Sequence, residues 1–415
     1  MARETVVIVG ANLAGGAATS TLREEGFEGR IVLIGAELHP PYERPPLSKQ
    51  YLRGEEPFDK CLLRQPDWYE QNGVELLLGR RAHRVDPVGR AVELEDGERI
   101  PFDQVLIATG GRNRRLTAPG AELEGIHSLR TVEDCDAIRS DAKPGSKAVI
   151  VGAGFIGSEV GASLRSVGVE VDVIDPGSLP LMRVLGVEVA RLYADIHTEH
   201  GVRFHFGERI GGFEGNGRVE AVVTAEGARI ECDFVVVGVG IEPVAEVVAG
   251  TGVEVDNGIL VDERCRTNVP GVYAAGDVAN HWHPVFGRRM RVEHWDNALK
   301  QGTAAARNMM GAGAPFDDPH WFWSDQYEYN LQYAGHAVAW DEFVVRGSLE
   351  DRSFVGFYLK DGLVEGVVGV NRGRDVRRSM RLVKARRPVD PRQLRDEAVD
   401  LKTVAAQMAS EGEEA

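Results

Sequence analysis

The sequence predicts an α/β fold of two Rossmann-type units, one inserted into the other, followed by a mixed α+β domain. Three observations predict it. Two glycine-rich loops of one design, VVIVGANLAG at residues 6–15 and AVIVGAGFIG at 148–157, each follow an apolar β-rich run and open a helix-like segment. Each unit closes on a β-rich run ending in glycine, QVLIATGG at 104–111 and DFVVVGVG at 233–240, where the chain is expected to cross between domains. Beyond Phe316 the pattern changes to an aromatic cluster, PHWFWSDQYEYNLQY, and then to alternating runs, EFVVRGS, SFVGFYLK and VEGVVGVN, which read as an antiparallel sheet.

The first unit runs strand, turn, helix, strand over residues 5–34. Gly10 permits the tight turn, Gly15 lets the helix pack on the strand, and the helix N-terminus favours an anionic phosphate. Where the fingerprint expects a second glycine the chain has Asn12, a residue that tolerates left-handed backbone, so the turn is expected to survive. An acid after the next strand is needed for a ribose hydroxyl, and IVLIGAE ends on Glu37. The proline-rich HPPYERPPLSKQY that follows cannot begin as a regular helix.

Short β-rich runs lead to residues 104–108, a basic and polar loop covers 112–119, and a linker, DAKPG at 141–145, precedes the second unit near Ser146. There Gly152, Gly154 and Gly157 fill all three fingerprint positions and VDVID ends on Asp175. An acid at this point accepts both ribose hydroxyls and repels the 2′-phosphate of NADPH, so NADH is favoured; Arg183 is the nearest basic residue that would reverse the preference. GVYAAGD, at 271–277, supplies the remaining strand of the first domain. Strand, glycine turn, helix and acid occur together twice, so the chain is expected to bind two dinucleotides.

Composition agrees. A length of 415 residues suggests two to three domains, and the net charge of −16 argues against a nucleic-acid partner. No uninterrupted apolar run approaches the roughly 20 residues of a membrane span. The first strand begins almost at Met1, which leaves no room for a signal peptide, and a cytoplasmic protein is expected. The four cysteines, Cys61, Cys135, Cys232 and Cys265, are far apart and none forms a Cys-x-x-Cys, so four reduced thiols are expected. The 11 histidines show no metal-binding spacing. Two electrons passing between the two dinucleotides then have no thiol relay to leave by.

The strings VVIVGANLAG, PPYERPPLSK, QVLIATGG, SLRTVED, VIVGAGFIGSE, RVLGVEVA, TNVPGVYAAGDVA, RVEHWDNALKQG, and FWSDQY with LQYAG are spread along the chain from Val6 to Gly335. In this order they resemble the FAD-dependent NADH:ferredoxin reductases of bacterial cytochrome P450 and Rieske oxygenase systems. The resemblance implies a glutathione-reductase-like fold. Its FAD-binding domain would be residues 1–110 and 241–320, its NADH-binding domain 111–240, and its C-terminal α+β domain 321–415 with an acidic tail at 410–415. It implies an oxidoreductase that passes electrons from NADH through FAD to a [2Fe-2S] ferredoxin.

The same resemblance places Gly10, Leu13, Ala14 and Gly15 at the FAD pyrophosphate, Glu37 at the adenosine ribose and Arg44 at the adenine end, where a guanidinium stacks on an aromatic face. The family commonly has two acids where this chain has Ala36 and Glu37, which leaves one ribose contact fewer. Ala82 and Arg130 match further FAD-lining positions, and Asp277 would accept hydrogen bonds near the ribityl chain. Gly152, Gly154, Phe155, Ile156, Gly157, Asp175 and Gly240 fall to NADH. Lys49 is placed beside the flavin N5 region and paired with Glu159, so that an ammonium meets the charge left by hydride arrival. Trp295 and Trp323 would border the flavin ring, with Trp323 also serving the approach of the acceptor.

Such ferredoxins are acidic and so is this chain, so docking needs a local basic patch. Arg374, Arg377, Arg378 and Arg381 fall on one side of a helix opposite Val376, Met380 and Val383, with Arg372, Lys384, Arg386 and Arg387 extending the positive field. The loop at 112–115 is a competing patch, and a merely solvated helix face is the plainer alternative. Two other functions stay open. An NADH oxidase or peroxidase of the related group uses a cysteine beside the flavin, and PPLSKQY has none. An NADH-responsive interaction module, like apoptosis-inducing factor, is the other.

Overall fold

The computed structural model describes residues 4–410; all but the first residue of the expected acidic tail lies outside them. The chain divides into two compact units. One comprises Met1–Glu43, Pro57–Arg112 and Ile241–Asp318, and the other Arg44–Glu56, Asn113–Gly240 and Pro319–Ala415.

In the first unit the runs VVIV, IVLI and QVLI form neighbouring strands of a parallel sheet, and their unbroken apolar character reflects burial on both faces. The strand order is Val272–Ala274, Gln104–Ile107, Thr5–Val9, Arg30–Ile34, Val74–Leu77. On one face, Leu13, Ala14, Ala18 and Leu22 of the helix Leu13–Glu24 meet Ala298, Ala305 and Ala306 of the helix Trp295–Met309 in one core cluster. On the other, Val7, Val32, Val105 and Val272 pack with Val92, Ile100 and Val261.

The second unit opens on a sheet of the same design, ordered Val202–Phe206, Glu170–Asp175, Lys147–Val151, Phe234–Val237, Ile126–Ser128 and parallel throughout. Its last part is an antiparallel sheet ordered Trp321–Gln326, Tyr329–Gly335, Leu363–Val370, Ser353–Lys360, Glu342–Ser348. These two parts share a core. Leu185, Val189 and Tyr193 of the helix Met182–Glu199 pack with Phe322, Tyr333, Phe354 and Tyr358, and the Tyr358 hydroxyl donates to the Leu185 carbonyl at 2.7 Å.

Charge ties the edge of the parallel sheet together. Asp172, buried on the strand Glu170–Asp175, accepts from Arg203 Nη2 at 2.7 Å and His205 Nε2 at 2.8 Å on the neighbouring strand. Burial alone would raise this carboxyl, but the Arg203 guanidinium and His205 imidazole outweigh it and hold Asp172 below the usual carboxylate range. A depressed folded value contributes stability above the unfolded value of about 3.9 and loses it as pH falls through the folded value. The stability gap between the protein and Asp172→Asn, read by chemical denaturation, is therefore expected to be widest near neutral pH and to close below about pH 4. A gap independent of pH would contradict the pairing.

Candidate functional site

Both glycine loops close on the same backbone geometry. Gly10 has φ 118° and Gly152 φ 105°, values that L side chains rarely adopt. The loops end at Gly15 and Gly157, where a Cβ would lie 2.0 Å from the carbonyl oxygens of Gly10 and Gly152. The middle positions differ from the expectation. Asn12 is extended, with φ −114° and ψ −165°, so the left-handed tolerance of asparagine is not what admits it. It admits because the turn needs an extended N-cap there, as Gly154 also is at φ −79° and ψ −174°. The Asn12 side chain donates instead to the Ala108 carbonyl at 2.6 Å, fastening the loop to the end of the neighbouring strand.

Neither helix is capped by its own N-cap side chain, and neither carries an acid in its first turn. The first-turn N–H groups thus face the loop without a side-chain acceptor, which suits an anionic pyrophosphate. In the first unit Ala14 lies against Gly276, and Gln301 Oε1 accepts from the Gly276 N–H at 2.9 Å, just before Asp277. Gln301 is fully buried and its Nε2 has no hydrogen-bond partner, leaving a donor for a bound group beside the loop. Glu37 lies three residues beyond the strand Arg30–Ile34 and accepts from the buried Tyr42 hydroxyl. Ala82 begins the strand Ala82–Asp86 and packs on the core, while Trp295 opens its helix against the opposite cluster.

In the second unit Asp175 ends its strand as expected, and its carboxylate accepts from the Ala153 N–H and the Gly177 N–H, each at 2.7 Å. It therefore shapes the second loop as well as facing it. Ile156 is exposed, Phe155 packs edge-on to Phe322 at 4.9 Å, and Gly240, at φ 92°, accepts from Arg114 N–H at 3.0 Å. Arg44 donates to the Arg130 carbonyl, which brings these two arginines together.

Lys49 and Glu159 meet as expected. Lys49 follows the 3-10 turn Pro45–Ser48, Glu159 lies in the second turn of the helix Phe155–Ser166, and both are buried, with Nζ 2.5 Å from Oε2. Two partners were not legible in the sequence. Ser48 Oγ donates to the same carboxylate oxygen at 2.5 Å and Ser324 Oγ to the other at 2.7 Å. Ser324 reaches inward because the strand Trp321–Gln326 alternates, burying Phe322, Ser324 and Gln326 and leaving Trp321 and Trp323 partly exposed, stacked at 5.3 Å. The alternation in FWSDQY was the available signal for Ser324.

All four cysteines are buried thiols. Burial pushes Cys232 and Cys265 up to about 12, well outside nucleophilic range at neutral pH. Of the expected basic field, Arg374, Arg377, Arg378 and Arg381 are exposed on the helix Gly373–Ala385, with Val376, Leu382 and Val383 buried and Met380 half-buried. Two flanking arginines do not extend it: Arg372 pairs with Asp375 at 2.8 Å and Glu397 at 3.0 Å, and Arg386 with Glu365 at 2.7 Å. In the competing loop, Arg112 pairs with Glu242 and Glu246 at 2.7 and 2.5 Å.

Two dinucleotide loops and a buried lysine–carboxylate pair, without a dithiol, define a flavoprotein oxidoreductase that uses a nicotinamide. Comparison with known proteins agrees: residues 4–302 match the pyridine nucleotide-disulphide oxidoreductase family and residues 321–405 a reductase C-terminal domain. The chain is 37% identical to rhodocoxin reductase of Rhodococcus erythropolis, covering 97% of this chain and 94% of that protein. It is 38% identical to the ferredoxin–NAD(+) reductase component of the anthranilate 1,2-dioxygenase system of Burkholderia cepacia, covering 97% and 100%. The structure of a covalent putidaredoxin reductase–putidaredoxin complex superposes with a TM-score of 0.95 at 35% identity, covering 99% of this chain and 100% of that one. The chain belongs to the pyridine nucleotide-disulphide oxidoreductases, in the branch of ferredoxin–NAD reductases that use FAD and NAD(H) on a glutathione-reductase-like fold. No helix among the described residues is long and apolar enough to cross a membrane.

The loop geometry predicts a contrast. Gly157→Ala sets a Cβ against backbone and is expected to cost roughly 3 kcal/mol, whereas Gly154→Ala, with nothing within 4 Å of the new Cβ, stays within about 0.5 kcal/mol. Thermal unfolding of the two variants checks this, and equal midpoints would refute it.

Proposed function

We propose that this chain oxidises NADH and reduces a [2Fe-2S] ferredoxin that supplies a cytochrome P450 or Rieske oxygenase. The observation that carries the reading is the buried Lys49–Glu159 pair in a chain whose cysteines are all buried thiols. FAD, when bound, accepts a hydride from NADH and releases electrons singly. The chain's own residues bind and orient. The first loop, with Gly10, Leu13, Ala14 and Gly15, holds the FAD pyrophosphate, Tyr42 aims Glu37 at the ribose, and Arg44, Ala82, Arg130 and Asp277 line the rest of FAD. The second loop, with Gly152, Gly154, Phe155, Ile156, Gly157, Asp175 and Gly240, holds NADH. Lys49 supplies a fixed ammonium where negative charge arrives, and Glu159 keeps it in place. Trp295 and Trp323 shield the ring. Residues 1–110 with 241–320 act as the FAD domain, 111–240 as the NADH domain and 321–415 as the C-terminal domain.

The ferredoxin docks on Arg374, Arg377, Arg378 and Arg381, four exposed arginines on one helix of which Arg378 pairs with Asp375 at 3.6 Å, whereas Arg112 pairs with two glutamates. Because Asp175 carries a carboxylate at the ribose position, NADH is preferred to NADPH. Lys49→Met is expected to slow bleaching of the flavin by NADH about 100-fold in anaerobic stopped flow, with FAD retained. An unchanged rate would remove Lys49 from the chemistry. Charge reversal, Arg377→Glu with Arg378→Glu, is expected to weaken ferredoxin reduction about tenfold or more and leave NADH-to-dye turnover intact. Equal loss of both activities would exclude this docking face.

A further inference from the structure

The Glu159 carboxylate ends a longer buried chain of hydrogen bonds than the lysine pair requires. Ser324 donates to Glu159 at 2.7 Å and accepts from Gln326 Nε2 at 3.0 Å. Gln326 Oε1 meets His197 Nε2 at 2.7 Å, and the Tyr327 hydroxyl meets His197 Nδ1 at 3.3 Å. Ser324, Gln326 and His197 are all buried. Uncompensated polar groups are costly in an interior, so a run of three needs a reason.

The direction of the chain follows from its end. A carboxylate only accepts, so Ser324 must give its single proton to Glu159 and take its own hydrogen bond from an N–H. Gln326 must then turn its amide nitrogen to Ser324 and its oxygen to His197. His197 must in turn carry its proton on Nε2 and leave Nδ1 bare to accept from Tyr327. Every donor points towards Glu159. His197 suits this, because burial pushes it down to about 4 and keeps it neutral.

We propose that His197, Gln326 and Ser324 are positioning residues that hold the Glu159 carboxylate on Lys49, with the His197 tautomer as the fixed end of the chain. This rests on the reading of Lys49 given above. His197 lies on the helix Met182–Glu199, Ser324 and Gln326 on the strand Trp321–Gln326 and Glu159 on the helix Phe155–Ser166, so the alignment of Lys49 depends on three separate elements.

Two measurements on the FAD-loaded enzyme test it. Nitrogen NMR with labelled histidine, assigned with His197→Asn, is expected to show His197 protonated on Nε2 alone from about pH 5.5 to 8. An Nδ1–H tautomer, or titration near the ordinary histidine value, would overturn the proposal. Gln326→Leu is expected to slow flavin reduction by NADH about tenfold in the wild-type background and by less than about twofold in Glu159→Gln. Ser324→Ala should behave in the same way and Ser324→Thr, which keeps the hydroxyl, should recover most of the rate; these serve if Gln326→Leu misfolds. The same slowing in both backgrounds would mean a structural role only and would refute the proposal. If Lys49→Met leaves the rate unchanged, the reading of Lys49 fails first and takes this role with it, while the tautomer still reports on the chain by itself.

Discussion

One buried carboxylate organises the second unit. Glu159 receives Lys49 and Ser48 from the proline-rich segment and Ser324 from the antiparallel sheet, while its own backbone belongs to the helix that starts at the second glycine loop. Burying an ion pair is weakly stabilising at best, but deleting one partner leaves a bare charge and costs about 3–5 kcal/mol. Such a pair is better understood as a device for register than as a source of stability. It fixes a lysine that would otherwise sample many rotamers, and it does so in a segment, Arg44–Glu56, whose chain neighbours on both sides belong to the other unit.

How far the sequence reveals this depends on whether the signal is local. Strands such as Thr5–Val9 and Lys147–Val151 are legible because four or five consecutive β-branched or apolar residues have few other solutions. The glycines are legible because Gly10 and Gly152 need a backbone region closed to other residues. Lys49 with Glu159 was legible only through a family resemblance, since 110 residues separate them. For Ser324 and Gln326 the alternation in FWSDQY reveals only that they face inward, and nothing local points to His197: their partners are set by the packing of a helix on a sheet, and no local rule carries that information. Asn12 shows a subtler failure. Its presence was correctly tolerated but for a left-handed turn it does not adopt, because the fingerprint states which residue is usual and not which φ it needs.

Charge is the quantity that sequence distributes least faithfully. A run containing Arg372, Arg374, Arg377, Arg378, Arg381, Lys384, Arg386 and Arg387 reads as one basic field, yet Arg372 and Arg386 are spent on carboxylates of the same unit. What remains is narrower and better defined, a ridge of arginines on one face of an amphipathic helix. In a chain of net charge −16, a confined positive ridge does more for orientation than a diffuse one, because like-charged surroundings repel an acidic partner from every other approach.

The two glycine loops, built alike, are finished differently. The first is anchored by the Asn12 amide to the end of the neighbouring strand, and its acid is held by the Tyr42 side chain. The second has an exposed glycine in the Asn12 position, and its acid is held, among the described residues, by the N–H groups of its own loop and turn. On the assignment proposed above, the anchored loop serves the resident nucleotide and the open one serves the nucleotide that must leave after each turnover. Side-chain anchors raise the cost of loosening a loop, while backbone contacts within the loop move with it. A duplicated design can thus hold two dinucleotides on different terms by changing one residue per loop and one contact per acid.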